Sequence, residues 1–267
     1  MNYERKIDRI VTILKKRYNV GNIDYAIVAG SGLMESIPEL DEVQIVSYQS
    51  LGMPKSKVQG HSGKFVFGKL GKKNIVVVSR YHFYESGNMN LVRMPFEIIS
   101  KLGVNKIILL TSCGGLNKTF KVGDIMLISD HINYTGQNPL IAISPLEFTP
   151  MANAYDKEIF NKMKKIADEN NIDVREGVHI QFLGPSYETR AEVELARMVG
   201  ADTVSMSTVF DCIICNYLKI KVAGIASVVN VFTSKDNEEE LNHQEVLDNA
   251  KKSCLKIKTI IENLIKE

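Results

Sequence analysis

Seven short apolar runs recur along this chain, and stretches of helical periodicity separate most of them. The runs are "YAIVAG" from Tyr25, "NIVVVS" from Asn74, "KIILLTS" from Lys106, "DIMLISD" from Asp124, "VHIQFLG" from Val178, "DTVSMS" from Asp202 and "VAGIASVVN" from Val222. Short runs rich in β-branched residues read as buried strands. The segments 91–102, 156–169, 190–199, 209–218 and 242–265 carry the wider spacing of amphipathic helices. This alternation predicts the α/β class, with a mixed twisted β-sheet flanked by helices on both faces. No linker interrupts the pattern, so residues 1–267 are expected to form a single domain.

Composition excludes some partners. The formal net charge is +2, from 33 basic and 31 acidic residues, too balanced for the basic stripe of a nucleic-acid binder. No apolar run is long enough to span a bilayer. The first residues, "MNYERKIDRIVTILKKRYNV", are charged throughout, unlike a signal peptide, and place Ile7, Ile10, Val11 and Leu14 at helical spacing. A cytoplasmic location is therefore expected. The four cysteines, at 113, 212, 215 and 254, form no disulfide framework and read as reduced thiols. Cys212 and Cys215 make a CxxC pair, but Ile213, Ile214 and Leu218 around them predict packing inside a helix. No metal-ligand spacing is present. The stretch 134–153 is long for an irregular loop, and such loops tend to serve function or meet a neighbouring subunit.

In sheets of this class, ligands gather beyond the carboxyl ends of strands. Six runs here are followed by "GSGL", "SRYHFYE", "TSCGGLN", "GPSYETRAE", "STVFD" and "NVFTS", rich in glycine, hydroxyls and strong donors. "GSGL" offers Ser31 and backbone amides to an anion, or is an ordinary tight turn. It is neither a dinucleotide fingerprint nor a P-loop. Arg80 supplies a fork-shaped donor suited to phosphate. If strand geometry continued past it, His82 and Tyr84 would share its side; the alternative is that these side chains satisfy loop carbonyls. Ser207 precedes an expected helix, whose dipole favours an anion. Thr189 and Glu192 form a capping-box pattern, which starts a helix near Arg190. Tyr187 and Glu188 then sit just before it, where an aromatic and a carboxylate could stack on and bond a flat heterocycle.

These pieces, in this order, resemble the trimeric, low-molecular-mass class of purine nucleoside phosphorylases. The resemblance runs from about residue 24 to about 247 and rests above all on "GDIMLISDHINYTGQNPL" and "GPSYET", with "GHSGKFVFGKL", "NAYD", "GADTVSMSTV" and "NHQEVL" beside them. It implies that Ser31, His61, Arg80, His82, Ser112 and Ser207 surround orthophosphate, Ser112 largely through its backbone N–H. It further implies Tyr84 and Met206 beside the ribose, His243 at the 5′-hydroxyl, Tyr187 on the base, Glu188 at its N1–H side and Asn230 at N7 and O6. Asn230, Glu188 and His82 would then be the catalytic group. The implied reaction is phosphorolysis of 6-oxopurine ribonucleosides and deoxyribonucleosides such as inosine and guanosine. It needs no metal or cofactor, orthophosphate being a co-substrate, and the implied assembly is a homotrimer. In the family the 141–150 region lends a phenylalanine to the neighbour's site; Phe148 is the candidate here. The chain departs from the family's pattern at Thr111, Ser112 and Cys113, and at Ser205, which replaces a glycine beside the expected base site. A methylthioadenosine phosphorylase, or a non-catalytic nucleoside-binding protein of the same fold, is the alternative. His243 argues against the first, because a thioether site wants apolar company.

Overall fold

Nine strands and six α-helices form among the residues described by the computed structural model, which are 2–18, 20–58, 63–143, 147–232 and 243–267. The strands are β1 (Tyr25–Val28), β2 (Asp41–Ser47), β3 (Lys64–Leu70), β4 (Lys73–Val78), β5 (Lys106–Gly115), β6 (Ile125–Asn133), β7 (Arg175–Gln181), β8 (Thr203–Ser205) and β9 (Lys221–Val231). The helices are α1 (Tyr3–Arg17), α2 (Met89–Lys101), α3 (Lys157–Glu169), α4 (Arg190–Met198), α5 (Val209–Tyr217) and α6 (His243–Lys266). All seven apolar runs are strands. β2 and β3 add an antiparallel pair that the apolar pattern does not announce, because β2 is exposed along nearly its whole length, with only Val46 buried.

The strands join in the order β2-β3-β4-β1-β5-β8-β7-β6-β9, and β9 also pairs with β5. That last pairing closes β5, β8, β7, β6 and β9 into a barrel, with β1 to β4 as a sheet extension. The sheet is mixed: β1–β4, β1–β5, β5–β9, β6–β7 and β7–β8 are parallel, and β2–β3, β3–β4, β5–β8 and β6–β9 antiparallel.

Strand alternation divides the core. Ala26, Val28, Ile107 and Leu109 pack toward α1, α2 and α5. Tyr25, Ile27, Ile108 and Leu110 pack toward α3 and α6. The helices therefore cover both faces. Cys212 and Cys215 are wholly buried in α5 as free thiols, so burial answers the CxxC spacing. Thr189 caps α4 by accepting the Glu192 N–H, and Glu192 accepts the Thr189 N–H in return. No regular element forms among the described residues between Asn133 and Lys157.

Candidate active site

The exits of β1, β4, β5, β7, β8 and β9 open on one cavity of about 350 Å³, within the range of small-molecule sites. Two glycines make the convergence possible. A Cβ on Gly30 would lie 2.9 Å from the Leu110 carbonyl oxygen and 3.3 Å from the Ser112 nitrogen, so only glycine lets the first turn approach the end of β5. Gly184 has φ +72°, and a Cβ there would meet the Met206 sulfur at 2.5 Å. It thus brings the Tyr187 loop against β8 in a conformation that L side chains rarely adopt.

One wall is a cluster of donors. Ser31, Arg80, His82, Ser112 and Ser207 all line the cavity. Strand geometry does not continue past β4, contrary to the alternation argument. The chain instead turns into a 3-10 helix at Phe83–Glu85, and that turn stacks His82 on Tyr84 with ring centroids 4.9 Å apart. The Ser112 hydroxyl donates to the Ser31 carbonyl at 2.6 Å. That bond ties the two turns together.

Arg80 is almost wholly buried. Its Nη1 donates to Thr208 Oγ1 at 3.0 Å, its Nη2 to the Leu110 carbonyl at 3.0 Å, and its Nε lies 3.1 Å from Asp211 Oδ2. Each terminal nitrogen retains a second N–H, so the fork is held by the protein at its back. Burial pushes the Asp211 carboxyl up and the Arg80 guanidinium opposes that shift. Thr208 has φ +84°, a strained conformation for a β-branched residue that costs about 1–3 kcal/mol. The Arg80 bond and the Cys212 N–H donated to the Thr208 carbonyl at 2.9 Å hold it there, placing Ser207 at the N-terminus of α5.

Sequence reasoning missed Glu85. Its Oε1 accepts the His82 N–H at 2.7 Å and lies 3.4 Å from His82 Nδ1. Its Oε2 accepts the Lys57 N–H at 2.7 Å and the Ser56 hydroxyl at 2.9 Å. Burial opposes its ionisation, but the His82, Lys57 and Ser56 donors outweigh it and bring the carboxyl down to about 2. The signal was present as His-x-x-Glu, a capping box on a single turn, but a one-turn helix leaves no periodicity to find.

Tyr84, Tyr187, Glu188, Met206 and Asn230 line the same cavity. Burial pushes the Tyr84 phenol up to about 12 and raises the Glu188 carboxyl. Asn230 pairs with Gly114 just after a bulge between Cys113 and Gly114; bulges of this kind re-aim side chains beside sites. Ser205 lines the same cavity. Its hydroxyl engages His179, Thr111 and Ser207, beneath the donor cluster. His61 lies outside the described residues. His243 opens α6, and its side chain is likewise outside them. Phe148 is 94% exposed.

Residues 24–266 match the family described as the phosphorylase superfamily. The chain is 38% identical to purine nucleoside phosphorylase 1 of Bacillus subtilis over 228 residues, 83% of this chain and 84% of that one. Isoform 2 of the Schistosoma mansoni enzyme, in complex with cytosine and ribose-1-phosphate, superposes with a TM-score of 0.91 at 32% identity, covering 100% and 97% of the two chains. The purine nucleoside phosphorylase of the same organism superposes in its complexes with inosine (TM-score 0.90, 27% identity, 98% and 96% covered) and adenosine (0.91, 28%, 98% and 97%).

Proposed function

The chain belongs to the phosphorylase superfamily and is an enzyme of its purine nucleoside phosphorylase group, and from that premise we propose which substrates it takes and which residues act on them. The substrates are 6-oxopurine ribonucleosides and deoxyribonucleosides together with orthophosphate. The observation that supports this reading is that Ser31, Arg80, His82 and Ser207 line one cavity together with Glu188 and Asn230.

An oxygen of orthophosphate bonds to C1′ while the C1′–N9 bond breaks. The electron pair of that bond passes to the purine, which takes up a proton, and ribose 1-phosphate remains. Positive charge develops on the sugar and negative charge on the ring. The donor wall orients the nucleophile, and Glu85 holds His82 for that task. The amide of Asn230 donates to N7 and faces the 6-oxo group as charge grows there. Glu188, as a carboxylate, accepts the N1–H, while Tyr187 packs on the base. Tyr84 and Met206 border the ribose. No cofactor enters this scheme, and the donor set has the hard, protic character that an oxyanion requires. The reading extends to a homotrimer, with the exposed Phe148 region meeting a neighbour.

The test is an inosine assay with and without phosphate, following hypoxanthine and ribose 1-phosphate, repeated with adenosine. Base release that needs phosphate and favours inosine supports the reading; a clear adenosine preference refutes the specificity. Asn230→Ala is expected to cost about 100- to 1000-fold in kcat, and a loss below tenfold would remove Asn230 from the chemistry.

A further inference from the structure

Behind the donor wall a row of hydrogen bonds crosses three strands. His179 on β7 is completely buried, and its ring spans two hydroxyls of β8. Its Nδ1 lies 2.9 Å from Thr203 Oγ1 and its Nε2 2.9 Å from Ser205 Oγ. Thr203 and Ser205 are two residues apart on one strand and so share a face. Thr111 on β5 stands on the far side, its Oγ1 3.3 Å from Ser205 Oγ and 3.1 Å from Ser207 Oγ. Ser207 Oγ is 3.4 Å from Thr208 Oγ1, which accepts from Arg80. The row therefore begins at a buried imidazole and ends on the cavity. Burial pushes the imidazole down to about 3, with His131 and Arg80 acting in the same direction and the Ser207 backbone against them. His179 is thus neutral at any working pH, with one nitrogen donating and the other accepting.

The position of that one proton biases the order of the row. With the proton on Nδ1, the ring donates to Thr203, and Nε2 accepts the Ser205 hydroxyl. Ser205 Oγ can then accept the Ser207 N–H, 3.2 Å away, and the Thr111 proton. Thr111 in turn accepts the Ser207 proton and draws it away from the cavity. With the proton on Nε2, the ring donates to Ser205 Oγ, which also accepts the Ser207 N–H. The Ser205 hydroxyl then donates to the Ser207 carbonyl at 3.1 Å. Ser205 has no lone pair left for Thr111, whose proton then goes to Ser207 Oγ at 3.1 Å or to the Ser112 carbonyl at 3.2 Å. Thr208, already accepting from Arg80, can donate to the same Ser207 oxygen. When Thr111 and Thr208 both donate to it, Ser207 has its lone pairs filled and its own proton is released toward the cavity.

We propose that His179 and Ser205 are positioning residues for the oxyanion half of the site, with the Nε2-protonated imidazole releasing the Ser207 hydroxyl to donate toward phosphate. The inference rests on the reading of the donor wall as the phosphate site. It also gives Ser205, which departs from the family's glycine, a role on the anion side rather than in base choice. Nothing in it requires the histidine to ionise or to touch substrate.

The test combines kinetics with nitrogen NMR of the chain carrying isotope-labelled histidine. Ser205→Ala is expected to raise the phosphate KM about five- to tenfold, the equivalent of one hydrogen bond, and to leave the inosine KM unchanged. In a Ser207→Ala background the same change should add less than about twofold, because both act through one hydroxyl. At saturating phosphate, the His179 signals of the unaltered chain should show the proton on Nε2. That readout stands even if a variant fails to fold. An unmoved phosphate KM in Ser205→Ala, full additivity with Ser207→Ala, or a proton on Nδ1 in the phosphate-bound enzyme would each overturn the inference. If the unaltered chain releases no base at any phosphate concentration, the function reading itself fails. Saturation by phosphate with Ser205→Ala equal to the parent sinks the positioning role alone.

Discussion

Glu85→Gln separates a structural carboxylate from its charge with almost no change in shape. The side chain is 5% exposed and receives the His82 and Lys57 backbone N–H groups and the Ser56 hydroxyl. A glutamine offers one oxygen where the glutamate offers two. Its NH₂ must confront either the His82 or the Lys57 N–H, and the loss extends beyond charge. The carboxyl is brought from an ordinary 4.5 to about 2, which sets a ceiling of about 3 kcal/mol on its contribution at neutral pH. Screening where the Lys57 loop meets water reduces this to roughly 1–2 kcal/mol. The sign follows from the direction. A carboxyl depressed in the folded state stabilises fully above 4.5, and that stability disappears as pH falls toward 2. Urea unfolding of both proteins at pH 7, 4.5 and 3 is the assay. The gap between them should be widest at pH 7, begin to close below 4.5 and have lost more than half its size by pH 3. Phosphate KM at pH 7 should rise, because His82 loses the acceptor that holds it. A gap that is absent at pH 7, or that stays constant into acid, would refute the claim that charge-assisted bonds hold this turn.

Asp211→Asn leaves the Arg80 guanidinium buried without its counter-charge, and urea unfolding should register a loss of about 3–5 kcal/mol. The Glu188 carboxyl, raised by burial, loses its charge at a higher pH than a free glutamate. Guanosine kcat/KM should therefore fall on acidification before Glu85 titrates, and Glu188→Gln should flatten that limb of the profile while lowering its plateau. Sedimentation of the full chain should give a trimer, which Phe148→Asp would weaken only if that region meets a neighbour.

The parts legible in the sequence share a physical trait. A buried strand must be apolar along its length, so β1 and β4 to β9 announce themselves in "YAIVAG", "NIVVVS" and the runs that follow. A capping box needs specific side chains three residues apart, so Thr189 and Glu192 mark the start of α4. β2 escaped because Asp41–Ser47 has nearly all its side chains in solvent, and an exposed edge strand lacks a continuous apolar signature. Glu85 escaped because its partners, Ser56 and Lys57, lie 29 and 28 residues away.

Local composition by itself determined the α/β class, the strand exits as the place for chemistry, and the residue types gathered there, because burial and capping are decided within a few residues. Only the tertiary structure decided that β9 returns to β5 and closes a barrel, and that Arg80 is gripped from behind by Asp211 and Thr208. It alone set the His179, Ser205 and Thr111 side chains in one row beneath Ser207. Those are contacts between residues 26 to 131 positions apart, and a one-dimensional pattern carries no term for the distance between two strands until the chain has folded them side by side.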